Sequence, residues 1–250
     1  MKSNGRVALI TGAGSGIGEG IAWELAQKGA IVIINDINKE KGEKVAEDIR
    51  KAGFIASYRI ADITNGTQIK DMVSSIVKEY KKIDILVNNT GIVKDNLILN
   101  MPEEDFDFVL EVNLKGAWLV SKNVLNYMKN ESYGRIINIS SRSWLGQKGQ
   151  SNYSSSKGGI ISLTRALAIE FAKYNITVNA VAPGLIDTPL IKKLRKDVQE
   201  RLIAAQPTPI IGKPQDVANA VSFLSTKESR YITGQVIHVD GGKSLGANNI

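Results

Sequence analysis

Apolar residues along this chain fall into two alternating kinds of run. Short and nearly unbroken stretches, "RVALIT" (6–11), "IVIIND" (31–36), "FIASYRI" (54–60), "IDILVN" (83–88), "RIINIS" (135–140) and "ITVNAVA" (176–182), read as strands. Runs that are apolar almost throughout suit strands covered on both faces. "QVIHVDGG" near the C-terminus reads as one more. Between these stretches the apolar spacing becomes helical: Ile21 with Leu25, then Ile69, Met72, Val73, Ile76 and Val77, then Leu163 with Leu167. Pro102 followed by three acids marks the start of a helical run over 103–130. Strand–helix alternation predicts an α/β fold, a Rossmann-type doubly wound parallel sheet of about seven strands with helices on both faces and right-handed crossovers.

The pattern contains no repeat and no low-complexity linker, so residues 1–250 are expected to form one domain. Residues 187–213 break the rhythm with two short helical pieces and three prolines, Pro189, Pro207 and Pro209. An insertion of this kind is expected to form a lid over the substrate.

Composition removes several classes of function. The chain has no cysteine and one histidine, His238, so disulfides and thiolate chemistry are out. A lone strand histidine reads as structural, and no His, Asp or Glu cluster suggests a metal site. No apolar stretch approaches the roughly 20 residues of a membrane span, and no signal-peptide pattern is present, so a cytoplasmic protein with no membrane partner is expected. The net charge of +7 is spread along the chain, and the densest basic cluster, "KKLRK" (192–196), reads as a solvated helix face. Nucleic acid is therefore not an expected partner, although a positive surface would steer acidic substrates or carriers.

The candidate chemistry begins at "TGAGSGIGEG" (11–20), with a glycine at every second position. Strand, glycine turn and amphipathic helix together aim backbone N–H groups at an anion, and glycines let a pyrophosphate approach the backbone. The G-x-G-x-x-G spacing is absent, as is the Lys-Ser/Thr of a nucleoside-triphosphate loop. Asp36 ends the second strand, where a carboxylate can accept from both ribose hydroxyls and repel a 2′-phosphate. This favours NAD(H), with NADP(H) as the open alternative.

"YSSSK" sets Tyr153 and Lys157 one helical turn apart on one face. An ammonium about 4 Å from a phenol, at an effective dielectric of about 20, is worth roughly 4 kcal/mol. That matches the roughly three pKa units a tyrosine must lose to work near neutrality. Ser140 and Ser141 end the fifth strand and could hold a substrate oxygen, and neither has a histidine partner for a hydrolase triad. "NNTG" (88–91) follows the fourth strand. Asn113 sits inside a helical run, where asparagine is disfavoured unless a hydrogen bond calls for it.

Taken together, "TGAGSGIG", Asp62, "NNTG", Asn113, the serine pair, "YSSSK", "PGLIDT" (183–188) and "YITGQVIHVDGG" (231–242) resemble the short-chain dehydrogenase/reductase family over nearly the whole chain. The resemblance implies Tyr153 as general acid/base, Lys157 lowering its pKa and holding the nicotinamide ribose, a serine polarising the substrate, and Asn113 anchoring a relay water. Strand register selects Ser141 for the serine, whereas counting back from the tyrosine selects Ser140; Ser141 is expected. The implied cofactor contacts are Gly12, Ser15, Gly16, Ile17 and Gly18 in the loop, Asp36, Asp62 and Ile63 near the adenine, and Asn89 and Gly91. Tyr153, Lys157, Pro183, Gly184, Ile186 and Thr188 complete the set, the last two at the carboxamide end.

Within the family, "GRIINISS" and "NYSSSKGGI" look most like 3-oxoacyl-[acyl-carrier-protein] reductases, which implies a carrier-bound or small-molecule carbonyl substrate and a homotetramer. The chain departs from that pattern. Thr90 replaces an alanine, Ser132 and Tyr174 stand where carrier-binding arginines are expected, and Asp36 points to NADH. A polyol, sugar or alicyclic alcohol dehydrogenase is the alternative, and a non-catalytic dinucleotide sensor a more distant one.

Overall fold

The computed structural model describes residues 5–192 and 195–245. Seven parallel strands form one sheet in the order β3-β2-β1-β4-β5-β6-β7. They are β1 (Val7–Thr11), β2 (Ile31–Asp36), β3 (Ala56–Ile60), β4 (Ile85–Asn88), β5 (Gly134–Ile139), β6 (Ile176–Pro183) and β7 (Val236–Val239). Each predicted strand is present. The third and fourth start two residues later than their apolar runs, because Ile55 only leads in, its carbonyl accepting from the Val32 N–H at 3.0 Å, and Asp84 caps the start of β1.

Both faces of the sheet are covered, and the period of two along each strand divides its side chains between them. Ala8 and Ile10 of β1 join one buried cluster with Ile21 and Leu25 of α1 (Gly16–Gln27), Val45 and Ile49 of α2 (Lys39–Lys51) and Val217 and Val221 of α9 (Pro214–Leu224). Val7 and Leu9 join the other. There they meet Ile69 and Ile76 of α3 (Gly66–Tyr80), Val120 and Val124 of α5 (Gly116–Asn130) and Leu167 of α6 (Ser151–Phe171). The edge strand β7 is only half-buried.

The expected helix over 103–130 is one continuous run with a defect. After α4 (Glu103–Leu110) the chain makes a π-helical turn, Glu111–Lys115, and then continues as α5. The expected lid contains α7 (Pro189–Lys192) and α8 (Lys196–Ala204), while Lys193 and Leu194 lie outside the described residues. Its two ends meet. Ile186 pairs with Gly212, and the Asp187 N–H donates to the Gly212 carbonyl at 2.7 Å. The expected domain limits 1–4 and 246–250 are likewise outside the described residues. No helix among those described is long and apolar enough to cross a membrane.

Candidate active site

Strand order reverses between β1 and β4, and a cleft of about 600 Å³ opens above that point at the carboxyl ends of the strands. The glycine turn makes its floor. α1 starts at Gly16, and the side chain of the preceding Ser15 makes no capping bond; the Glu19 carboxylate engages the Gly16 N–H, and Ile17 and Gly18 line the cleft beside it. Gly16 has φ +62°, and a Cβ there would meet nothing closer than Thr188, at 3.7 Å. Gly14 lacks a side chain for a different reason: a Cβ would stand 2.7 Å from Asp36 Oδ2. The alternating glycines thus serve the protein's own packing as well as the cleft.

Asp36 is held from two sides. Its Oδ2 accepts from the Gly14 N–H and its Oδ1 from the Asn38 N–H, each at 2.9 Å. A fixed carboxylate, a helix N-terminus and a floor with few side chains form a donor and acceptor set that fits a dinucleotide: ribose diol on Asp36, diphosphate on the helix end.

The "NNTG" turn is stitched to this floor. Thr11 Oγ1 accepts from the N–H groups of Asn89 and Thr90 at 3.0 and 3.2 Å, and Asn89 Nδ2 donates to the carbonyls of Thr11 and Gly12, both at 3.0 Å. Asn89 lines the cleft, but its amide is committed to shaping the glycine turn. Asp62 caps its own turn, its Oδ1 accepting from the Thr64 N–H and hydroxyl at 2.9 and 2.8 Å.

β5 and α6 bring the reactive side chains to the opposite wall. The Ser140 hydroxyl donates to the Lys157 carbonyl at 2.9 Å and is occupied there. Ser141 Oγ accepts from the Ser143 N–H at 3.1 Å, and it stands near enough to the Tyr153 phenol to favour the ionised form. Lys157 is 3% exposed, donates from Nζ to the Ile139 carbonyl at 2.8 Å, and lies 5.6 Å from the centre of the Tyr153 ring. Burial brings its pKa down to about 8. Burial also raises the Tyr153 phenol above its ordinary value, more than the Ser141 hydrogen bond lowers it. The Lys157 ammonium, expected to lower the phenol, is aimed at the Ile139 carbonyl, and desolvation is the largest influence on the phenol.

Every residue expected to touch the cofactor lines this one cleft, and so does Ser141. Asn113 stands behind the wall, 1% exposed, on the π turn. Such turns widen a helix at one point and recur at functional sites. Asn113 Oδ1 accepts from the Ile92 N–H at 2.8 Å, and its Nδ2 donates to the Ile92 carbonyl and to Ser156 Oγ at 3.0 and 3.1 Å. A Cβ on Gly91 would lie 3.2 Å from Lys157 Nζ and 3.5 Å from Asn113 Oδ1, so the two groups converge on Gly91. Ile92, Val93, Phe108, Val112, Leu185 and Ile191 also line the cleft and were not singled out from the sequence, where apolar residues read as core. His238 accepts from Trp144 Nε1 at 3.0 Å, away from the cleft lining. Among the described residues no group of three or more His, Cys, Asp or Glu is placed to hold a metal.

The chain has many relatives. A family model described as Enoyl-(Acyl carrier protein) reductase matches residues 12–244. The (2S)-[(R)-hydroxy(phenyl)methyl]succinyl-CoA dehydrogenase subunit BbsD of Thauera aromatica is 44% identical, over 98% of this chain and 99% of that protein. The 3-oxoacyl-[acyl-carrier-protein] reductase FabG of Thermotoga maritima is also 44% identical, over 97% of this chain and 99% of that one. Among solved structures, a gluconate 5-dehydrogenase from Burkholderia cenocepacia, in complex with NADP and tartrate, superposes with a TM-score of 0.93 at 33% identity, covering 98% of this chain and 97% of that one.

Proposed function

The chain belongs to the short-chain dehydrogenase/reductase family and is an oxidoreductase of CH–OH and C=O groups; from that premise we propose that it uses NAD(H) and acts on 3-oxoacyl thioesters. The observation that carries the reading is the constellation at one wall of the cleft: Ser141 near the Tyr153 phenol, Lys157 buried beside the Tyr153 ring, and Asn113 converging with Lys157 on Gly91. The bound dinucleotide supplies or accepts the hydride at the substrate carbon. Ser141 and Tyr153 hold the substrate oxygen. In reduction Tyr153 gives its proton to that oxygen, and in oxidation it takes the proton from the alcohol. Lys157 holds the nicotinamide ribose and, with Asn113, passes the replacement proton. Asp36 holds the adenosine ribose, the start of α1 the diphosphate, and Ile186 and Thr188 the carboxamide end.

Three things support the finer points. Asp36 carries a negative charge where a 2′-phosphate would lie, which favours NADH over NADPH. The cleft that Tyr153 lines is lined also by Val93, Phe108 and Leu185, a surface suited to an acyl chain rather than a polyol. The relatives named for thioester substrates cover almost the whole chain. The family resemblance extends the reading to a cytoplasmic homotetramer with a lid at 187–213, whose assembly sedimentation equilibrium tests. Turnover of acetoacetyl-carrier and acetoacetyl-CoA thioesters against a polyol panel, with NADH and NADPH, tests the chemistry. Thioester reduction with NADH is expected. Preference for a polyol would replace the substrate, and preference for NADPH would overturn the role given to Asp36.

A further inference from the structure

The turn that carries Ser141 is short and has little support of its own. Ser141 leaves the end of β5 in an extended conformation and caps a 3₁₀ turn, Arg142–Leu145. The Trp144 N–H donates to the Ser141 carbonyl at 3.0 Å and the Gly146 N–H to the Ser143 carbonyl at 2.9 Å. The turn ends at Gly146, with φ +105°, and residues 145–148 are exposed. A helical run this short makes too few bonds to offset the entropy of ordering it, so it must be held from outside.

The turn also decides what Ser141 can do. Ser141 Oγ accepts from the Ser143 N–H at 3.1 Å. That bond engages a lone pair and leaves the hydroxyl proton for a substrate oxygen in the cleft that Ser141 lines. The arrangement lasts only while the turn stays wound and the Ser143 N–H faces back toward Oγ.

The outside hold comes from the edge of the sheet. Trp144 Nε1 donates to His238 Nε2 at 3.0 Å, and the two rings lie 6.1 Å apart at 31°. His238 belongs to β7, where it pairs with Ala182 of β6, and the next residue, Val239, accepts from the Gly184 N–H at 2.9 Å. The acceptor for the indole is thus fixed by the same ladder that ends at Pro183 and Gly184 in the cleft lining. His238 itself is not part of that lining, and no step assigned to Ser141, Tyr153 and Lys157 uses it.

We propose that His238 is a positioning residue: its imidazole anchors the Trp144 indole, and through it the turn that aims the Ser141 hydroxyl at the substrate oxygen. This deepens, and rests on, the reading of Ser141 as a group that holds that oxygen. Losing the anchor slows the chemical step and leaves nucleotide binding alone.

The test compares His238→Leu with His238→Gln, using the substrate and nucleotide that the panel above selects. Leucine removes the acceptor, whereas the glutamine carbonyl oxygen stands in for Nε2. His238→Leu is expected to lower kcat about fivefold, the worth of one hydrogen bond, with the nucleotide Kd unchanged by fluorescence titration. His238→Gln is expected to recover most of that loss. Trp144→Phe removes the donor instead and is expected to match His238→Leu; it carries the test should the leucine variant not fold. The decisive measurement is a double-mutant cycle. With Ser141→Ala already in place, either change is expected to cost less than about twofold more, because no hydroxyl is left to aim. A merely structural role would add its full loss there. Unchanged turnover in His238→Leu and Trp144→Phe, equal losses with leucine and glutamine, or a loss undiminished in Ser141→Ala each overturn the inference. Wild-type turnover in Ser141→Ala alone would instead remove the reading beneath it, so the two failures are distinguishable.

Discussion

Replacing Lys157 by methionine should make the protein more stable near neutrality while ending its turnover. Lys157 is 3% exposed, and burial lowers its pKa from 10.5 to about 8. The folded chain therefore binds this proton more weakly than the unfolded chain does, and folding is penalised wherever the unfolded lysine is charged. The difference of roughly 2.5 pH units corresponds to about 3 kcal/mol. The penalty is whole below about pH 8, shrinks as pH rises toward 10.5, where the unfolded chain still holds the proton and the folded chain has lost it, and is gone above that. Methionine fills the space without charge but forfeits the bond from Nζ to the Ile139 carbonyl, worth about 1–2 kcal/mol. The net expectation is a gain of about 1–2 kcal/mol at neutral pH that narrows with rising pH and turns into a small loss once the wild-type lysine is neutral in both states. Urea unfolding of both proteins at one fixed protein concentration, near neutrality, inside that window and above it, measures this. A stability difference that does not change with pH would refute the reasoning, because no other group is altered.

Further outcomes follow from the same geometry. Tyr153→Phe should abolish turnover while NADH still binds, as read by nucleotide fluorescence, because the phenol is needed for proton transfer and not for the cradle. Ser141→Ala should lower kcat by about 10²-fold, whereas Ser140→Ala should keep most activity and cost about 1 kcal/mol of stability, since its hydroxyl serves the Lys157 carbonyl. Steady-state kinetics and thermal unfolding separate the two serines. Asp36→Ala removes the acceptor of two backbone N–H groups as well as the ribose partner, and NADH affinity should fall at least about tenfold while NADPH gains relative to it. Isothermal titration with both nucleotides tests this.

The strands are legible because a parallel sheet buried on both faces writes itself as unbroken β-branched runs, and the order of glycine turn, Asp36 and "YSSSK" points to the cleft from sequence alone. What stayed hidden depends on contacts far apart in sequence. Ser140 and Ser141 are indistinguishable as letters; their opposite orientations follow from the strand pleat and from the Lys157 carbonyl seventeen residues on. The π turn has no sequence signature apart from Asn113 itself, whose partner is the backbone of Ile92. Arg135, in β5, is 1% exposed, and donates to the carbonyls of Gly134, Asn175 and Thr226 at 2.7, 3.0 and 3.1 Å, partners that lie far from it in sequence except for the first. The balance of burial against charge at Tyr153 is hidden for the same reason: an ammonium four residues away is visible in the sequence, and the carbonyl that claims it is not.

The paired ends of the 187–211 segment carry an evolutionary consequence. Because Ile186 and Gly212 are bridged, the segment leaves and returns at one point, and its stretch beyond Thr188 can change in length without moving any strand. Each doubling of its length would cost only about 0.6 kcal/mol of closure entropy. Grafts from relatives with other substrate appetites should therefore fold on this scaffold, leaving substrate choice free to diverge while the hydride-handling wall is inherited intact.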